Sequence, residues 1–259
     1  MERIRAAVIL AAFLFVTLLL MPLQWLAVTC GFGWRKKLPH AYHRFVAWLF
    51  GIHIRVIGKP ASSHGVLLVA NHTSWLDIVI FSAVAPISFI AKAEVNAWPF
   101  FGSLARLQRT VFVERTRRSQ TGQARDAIAA RLGEGDMLML FPEGTSSDGN
   151  SVLNFKSALL GAAEAVMDDG RHVPVQPVST AYVGRHGMPM GREDRPFYAW
   201  YGDMELVGHL WEALKAGPLD VVVQFHAPLS LDSMDRKELA QAAENLVRRG
   251  QISALSGLV

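Results

Sequence analysis

The first fifth of the chain differs from the rest in its hydrophobic pattern. Residues 6–21 are apolar except at Thr17, and the hydrophobicity continues as far as Val28. A helix that crosses a bilayer needs about 20 apolar residues, so this stretch is just long enough, and Pro22 predicts a bend or a break in it. The pattern therefore predicts a hydrophobic anchor at the N-terminus.

A second apolar stretch and the flanking charges refine this expectation. Residues 43–52 are amphipathic and are expected to lie in the membrane interface beside the first segment. Basic residues both precede the first segment (Arg3, Arg5) and follow it (residues 35–37), so they give no inside–outside asymmetry. A cleaved signal peptide is the alternative, but residues 27–29 form a poor small-residue cleavage site. We expect an uncleaved anchor that either spans the bilayer or lies in one leaflet.

After residue 50, short β-branched runs alternate with helical stretches. This alternation predicts an α/β sheet with helices on both sides, in one domain over residues 51–259 that follows an anchor over residues 1–50. The expected strands are residues 52–57, 66–70, 88–91, 110–114, 137–141, 173–181 and 219–226. The expected helices are residues 73–84, 120–132, 156–167, 204–214 and 235–249.

Two further local patterns stand out in the second half. Asp235 and Glu238 have the spacing of a capping box at the start of the last helix. Residues 183–198 are rich in Gly, Arg and Pro, and we expect them to form a surface loop or a lid.

Composition narrows the class of protein. Hydrophobic residues make up 51% of the chain and charged residues 19%, which excludes a disordered chain and favours contact with lipid. The net charge of +4 suits an anionic membrane surface, whereas nucleic acid is disfavoured because no recognition motif is present. Cys30 is the only cysteine, so no intramolecular disulfide can form, which fits a reducing cytosolic face.

A histidine and an aspartate follow the apolar run of residues 66–70. His72 and Asp77 are five residues apart, which would place them about 140° apart on one helix. If the side chains touch, His72 must lie in the turn before the helix and Asp77 in its first turns. An aspartate that accepts one ring N–H fixes the tautomer, so the other nitrogen can take a hydroxyl proton. The alternative is a structural histidine beside a helix capped by Thr73 or Ser74.

A second polar group follows the strand expected at residues 137–141. Glu143, Gly144, Thr145 and Ser146 form a loop whose N–H groups and side chains could hold a polar headgroup or a developing oxyanion. A simple strand-terminating turn has the same composition, so the two interpretations stay open.

Basic residues lie near the ends of two other expected strands, and several known motifs are missing. Lys92 and Arg115 could meet an anionic group. The sequence has no Gly-x-Ser-x-Gly elbow, no Walker A loop, no Gly-x-Gly-x-x-Gly and no zinc-ligand spacing.

Taken in order, these segments resemble the glycerolipid acyltransferase family, which includes 1-acylglycerol-3-phosphate O-acyltransferases. His72 and Asp77 match the His-x4-Asp motif of the family, and the segment from Lys92 to Arg115 matches its second block. Residues 141–145 match the third block and residues 173–178 the fourth, so the resemblance covers about residues 52–181. It implies a mixed, largely parallel sheet flanked by helices, with an N-terminal membrane-embedded helical anchor.

The resemblance also implies a reaction. His72 would deprotonate a lysolipid hydroxyl, and the oxygen would attack the thioester of acyl-CoA or acyl carrier protein directly. No metal, cofactor or acyl-enzyme would be needed. The substrate-binding residues would be Asn71, Lys92, Arg115, Glu143, Gly144, Thr145 and Ser146. With the apolar N-terminus and the single cysteine, the expected location is the cytoplasmic face of the inner membrane.

Ser146 departs from the pattern of the members that form phosphatidic acid. Those members usually carry an arginine there that meets the phosphate of the acceptor, and a serine cannot replace a bidentate donor. The run of residues 141–149 looks more like bacterial members that act on lyso-ornithine lipid, in which Glu143 or Asp148 could face the ornithine ammonium. Lysophosphatidic acid is the alternative acceptor.

Two other classes of protein compete with a transferase. A non-catalytic lipid-binding membrane protein would leave His72 and Asp77 without a shared role. A hydrolase would need a nucleophile beside the base, and Ser74 is the nearest hydroxyl, although no oxyanion-loop pattern accompanies it.

Overall fold

A mixed sheet forms the centre of the molecule. The computed structural model describes residues 1–61, 65–114, 118–164, 170 and 172–259, and within these residues eight strands belong to one sheet. The strands are β1 (Ile52–Ile57), β2 (Val66–Ala70), β3 (Ile87–Lys92), β4 (Val111–Val113), β5 (Met137–Leu140), β6 (Val175–Arg185), β7 (Met188–Pro189) and β8 (Leu219–Phe225).

The sheet is parallel in its larger part. Its order is β1-β8-β6-β2-β5-β3-β4, with β7 paired to β6 as a short hairpin. The five strands from β6 to β4 are parallel, whereas β8 is antiparallel to β6 and carries β1 in parallel beside it. This arrangement confirms the predicted mixed, largely parallel sheet.

Helices cover both faces of the sheet. They are α1 (Glu2–Thr29), α2 (Lys37–Phe50), α3 (Leu76–Val84), α4 (Phe101–Leu107), α5 (Arg118–Gly133), α6 (Leu206–Ala216) and α7 (Arg236–Leu255), with short 3-10 helices at Gly33–Arg35, Ala93–Ala97, Ser157–Glu164 and Arg195–Phe197.

The alternation of side chains in β2 shows how the two layers form. Val66, Leu68 and Ala70 pack with the layer of α1, α2, α3 and α6, while Leu67 and Val69 pack with α5 and α7. All five side chains are fully buried. A strand buried on both faces must be apolar throughout, which is why the run before His72 shows no alternation in the sequence.

The first helix lies along the other helices over most of its length. α1 is long and apolar enough to cross a membrane, which fits a membrane anchor. Its buried residues form a stripe at helical spacing, namely Ala6, Phe13, Thr17, Gln24 and Ala27. Arg5 donates to the carbonyls of Leu214 and Lys215, while Gln24 donates to the carbonyls of Arg35 and Leu107. Both ends of the helix are therefore bonded to the rest of the protein.

Two N-terminal boundaries differ from the prediction. α1 does not end at Pro22, because contacts on either side of the proline, at Thr17 and Gln24, hold the helix in place. α2 covers Lys37–Phe50 instead of residues 43–52, since Pro39 lies in its first turn, where a missing N–H costs little.

Three further segments also differ. An α-helix was expected at residues 156–167, of which 165–167 lie outside the described residues. Ser157–Glu164 is instead a 3-10 helix whose threefold period puts both Leu160 and Ala163 against the sheet. α4 was not predicted. Residues 183–198 are not one irregular loop, because pairing with β8 extends β6 to Arg185 and the β7 hairpin follows.

Candidate active site

The predicted base and its carboxylate are in direct contact. His72 lies in the turn between β2 and α3, and Asp77 lies in the first turn of α3. Nδ1 of His72 is 2.8 Å from Oδ2 of Asp77. The aspartate is fully buried, whereas the histidine side chain is 19% exposed. The pair can therefore hold one ring nitrogen in place while the opposite edge of the ring remains accessible.

Backbone and side-chain donors surround Asp77. The N–H groups of Thr73 and Ser74 donate to its Oδ2 at 2.7 and 3.0 Å, and the hydroxyl of Tyr182 donates to its Oδ1 at 2.8 Å. Because the carboxylate binds these N–H groups, α3 begins at Leu76 and not at residue 73 as predicted. The alternative to a catalytic pair was a helix capped by the side chain of Thr73 or Ser74, but neither side chain caps α3.

An aromatic ring supports the imidazole. Phe141 stacks on His72 with ring centroids 4.1 Å apart and an angle of 16° between the planes. Phe141 directly follows β5 and leads into the loop of residues 143–147, so the ring that supports the base belongs to the segment that carries this loop. The N–H of Ser147 also donates to the carbonyl of His72 at 2.8 Å. The two predicted motifs are thus joined through both a ring stack and a backbone hydrogen bond.

A cavity of about 430 Å³ opens beside His72. Its walls come from α1, α2, α3, β3 and α4, from Gly144–Ser146 and from residues 200–202. Burial raises the pKa of Tyr42 to about 12 and lowers the pKa of His43 to about 4, so both lining side chains are neutral near pH 7. A largely apolar cavity without charge in its α2 wall suits an alkyl chain.

Among the predicted binding residues, four line this cavity. Gly144, Thr145 and Ser146 do so with the backbone and side chains of the loop, and Lys92 does so from the end of β3. Lys92 is the only Lys, Arg, Asp or Glu among the described residues that line the cavity. Arg115 lies outside the described residues.

Two other predicted binding residues are buried and do not line the cavity. Asn71 exchanges two hydrogen bonds of 2.9 Å with the backbone of Thr180, which fixes the end of β2 to β6. Glu143 is 2% exposed and accepts the N–H of Leu153 at 3.2 Å. Burial raises the pKa of its carboxyl to about 8, although the N–H groups of Leu153 and His72 act in the opposite direction. Asp148 accepts two hydrogen bonds from Asn150 and also does not line the cavity.

Several site residues were missed in the sequence. Trp200 lines the cavity. Its backbone N–H donates to the carbonyl of Thr73 at 2.9 Å, and its backbone carbonyl accepts the hydroxyl of Ser146. Trp75 also lines the cavity, and its indole donates to Nδ1 of His209 at 2.9 Å. Tyr182 and Trp200 belong to no motif, and Trp75 occupies one of the unspecified positions between His72 and Asp77, so only the structure shows these side chains at the site.

The arrangement can carry out base catalysis on a hydroxyl beside an apolar chain. A buried carboxylate holds the imidazole, and the exposed edge of the ring faces the cavity. The described residues contain no group of three or more His, Cys, Asp or Glu side chains that could hold a metal ion.

Comparison with known proteins shows the family to which the chain belongs. Residues 53–181 match the family described as Acyltransferase. A lyso-ornithine lipid O-acyltransferase of Brucella abortus is 50% identical over 98% of this chain and 96% of its own length, and that of Rhizobium meliloti is 43% identical over 93% and 84%. The crystal structure of a 1-acyl-sn-glycerophosphate acyltransferase from Thermotoga maritima has the same fold, with a TM-score of 0.67, 24% identity and coverage of 98% of this chain and 97% of that one. The chain is a member of the acyltransferase family.

Proposed function

We propose that this protein transfers a fatty acyl group from a thioester to the hydroxyl of lyso-ornithine lipid, which yields ornithine lipid. The observation that carries the proposal is the contact of 2.8 Å between His72 and the buried Asp77 at the mouth of an apolar cavity. The cavity accounts for the alkyl chains of the substrates, and the pair accounts for activation of the hydroxyl.

The reaction needs one base and one acid, and His72 acts as both. Its Nε2 takes the proton of the acceptor hydroxyl while Asp77 stabilises the imidazolium through Nδ1. The oxygen attacks the thioester carbonyl, an ester bond forms and the carbon–sulfur bond breaks. The imidazolium then returns its proton to the departing thiolate. Such positioned base catalysis contributes about 10²–10⁴-fold to the rate.

The choice of acceptor rests on two residues that line the cavity, Ser146 and Lys92. Ser146 replaces the arginine expected for a phosphate acceptor, and its hydroxyl is bound to the carbonyl of Trp200. The exposed Lys92 would meet the carboxylate of an amino-acid headgroup. The two relatives named above carry lyso-ornithine lipid in their names. Lysophosphatidic acid is the second candidate, since Lys92 would equally suit a phosphate.

The donor and the location complete the proposal. The donor is acyl carrier protein or coenzyme A carrying the acyl thioester, and the protein works at the cytoplasmic face of the inner membrane. The exposed, unpaired Cys30 fits a reducing compartment.

A competition assay tests the function and the acceptor together. The full chain in detergent receives a labelled acyl thioester with equal amounts of lyso-ornithine lipid and lysophosphatidic acid. We expect the label in ornithine lipid and a loss of about 10²–10⁴-fold in the variant His72→Ala. Label only in phosphatidic acid would overturn the acceptor, and full activity of His72→Ala would overturn the mechanism.

The chain offers a matched control for this variant. His172 forms a similar pair with Asp232, with Nδ1 and Oδ1 2.7 Å apart, but this pair is on the surface and does not line the cavity. The variant His172→Ala should therefore keep the rate of the wild-type protein.

A further inference from the structure

Tyr182 reaches the site from a different part of the chain. In the pairing of β2 with β6, Ala70 is opposite Val178, and β2 ends there. β6 continues beyond this point, so Tyr182 lies four residues past the end of β2, above the edge where His72 and Asp77 lie. Val178 and Tyr182 face the same layer and are both buried.

The tyrosine hydroxyl is the partner of one oxygen of Asp77. Oδ2 of the aspartate binds His72 Nδ1 and two backbone N–H groups, whereas Oδ1 accepts the hydroxyl of Tyr182 at 2.8 Å. Asp77 is fully buried and Tyr182 is 1% exposed, so water does not replace this bond easily. Burial and the adjacent Asp77 carboxylate raise the pKa of Tyr182 well above its ordinary value, and the hydroxyl keeps its proton.

We infer that Tyr182 is a positioning residue of the proposed reaction, because its hydroxyl sets how strongly Asp77 holds the protonated form of His72. A donor on Oδ1 draws charge away from the carboxylate and fixes its second oxygen. Without the donor, the carboxylate would attract the imidazolium more strongly and would be held through Oδ2 alone. The inference rests on the proposed function, since it assigns a role within the same site.

The variant Tyr182→Phe tests the inference through the dependence of the rate on pH. It removes only the hydroxyl and keeps the buried ring. We expect kcat to fall by about tenfold to a hundredfold, because the base is held less well. We also expect the acidic limb of the pH–rate profile to move to higher pH by about 0.5–1 unit, because His72 stays protonated longer.

The variant Tyr198→Phe is the control for loss of a buried tyrosine hydroxyl. Tyr198 is also 1% exposed, but its hydroxyl donates to the carbonyl of Gly217 at 3.2 Å and does not contact Asp77. It should lose stability without any shift of the acidic limb.

The outcomes separate the inference from the function on which it rests. If Tyr182→Phe has the kcat and the acidic limb of the wild-type protein, the inference is wrong. If it behaves like Tyr198→Phe, with lower stability and an unshifted limb, Tyr182 is only structural and the inference is also wrong. If the wild-type protein acylates neither lysolipid, the proposed function itself fails.

Discussion

At the scale of single residues, Glu143 combines burial with a position beside the base. Its carboxyl is enclosed behind the loop that lines the cavity, and Oε2 has no hydrogen-bond partner among the described atoms. The pKa of about 8 follows from this enclosure, since a buried carboxylate loses its hydration. A neutral Glu143 can hold the loop through Leu153 without adding a second negative charge next to Asp77.

This burial predicts a pH-dependent stability. The unfolded chain releases the Glu143 proton near pH 4.5, but the folded protein keeps it until about pH 8. Between these values the unfolded state binds fewer protons, so this residue lowers the free energy of unfolding by about 1.4 kcal/mol per pH unit as pH rises. Glu143→Gln, which is neutral throughout, should match the wild-type protein near pH 4 and become progressively more stable than it up to about pH 8.

Urea unfolding across this pH range measures the difference. The exposed Glu193 supplies the control, because the free energies of unfolding of Glu193→Gln and the wild-type protein should not diverge as pH rises. A constant difference between Glu143→Gln and the wild-type protein at all pH values would contradict the raised pKa.

The sequence predicts some residues of the site and not others, for a physical reason. His72 and Asp77 are close in sequence, so their spacing alone restricts their geometry. Tyr182 is 105 residues from Asp77, and the predicted strand ended at residue 181, four positions before the end of β6 and just short of Tyr182. No local sequence pattern marks the end of β6 at Arg185, because the extension of this strand depends on pairing with β8.

At the scale of elements, the end of α5 packs very tightly against the residue that precedes β2. Gly65 precedes β2, has a φ of +80° and lies where a Cβ atom would be 2.1 Å from the carbonyl oxygen of Leu132. Leu132 belongs to the last turn of α5. A glycine is required here both by the backbone conformation and by the close approach of the helix.

Gly65→Ala should therefore destabilise the protein strongly. A positive φ alone costs an alanine about 1 kcal/mol, and the contact with Leu132 forces a backbone shift that adds about 2–4 kcal/mol. Gly187→Ala is the matched control, since Gly187 has a φ of +76° with no atom within 4 Å of the added Cβ. Thermal unfolding measures both variants, and equal losses would show that the contact is unimportant.

Elements were predicted best where burial gives a strong pattern. β2 and β5 are continuous apolar runs, and the capping box of Asp235 and Glu238 is formed as expected. α4 has only seven residues, too few to show a helical period, so the sequence carries no signal for it. The 3-10 helix Ser157–Glu164 contains Leu160 and Ala163, whose spacing of three fits an α-helix equally well.

At the scale of the whole molecule, the position of α1 bears on how the protein meets the membrane. Arg5 and Gln24 are 19 positions apart, which is about 28 Å along a helix and close to the thickness of the hydrocarbon core. Arg5 is bonded to α6 and Gln24 to Leu107, the last residue of α4. A helix held at both ends by one domain cannot cross the bilayer while that domain stays on one side, so we expect α1 to lie within one leaflet.

Labelling with a membrane-impermeant maleimide tests this orientation. Cys30 follows the last residue of α1 and is exposed, and Arg3→Cys in a Cys30→Ser background marks the other end. If α1 lies in one leaflet, the maleimide should label Cys30 and the cysteine of the Arg3→Cys variant in vesicles of the same orientation. If one cysteine is labelled only in inside-out vesicles and the other only in right-side-out vesicles, α1 spans the bilayer.

The main-chain hydrogen bonds around His72 affect how this fold can change its substrate during evolution. The carbonyls of His72 and Thr73 accept the main-chain N–H groups of Ser147 and Trp200. Main-chain ties survive replacement of the neighbouring side chains. Position 146 can thus be exchanged during evolution, from a guanidinium to a hydroxyl, while the proton-transfer apparatus stays where it is.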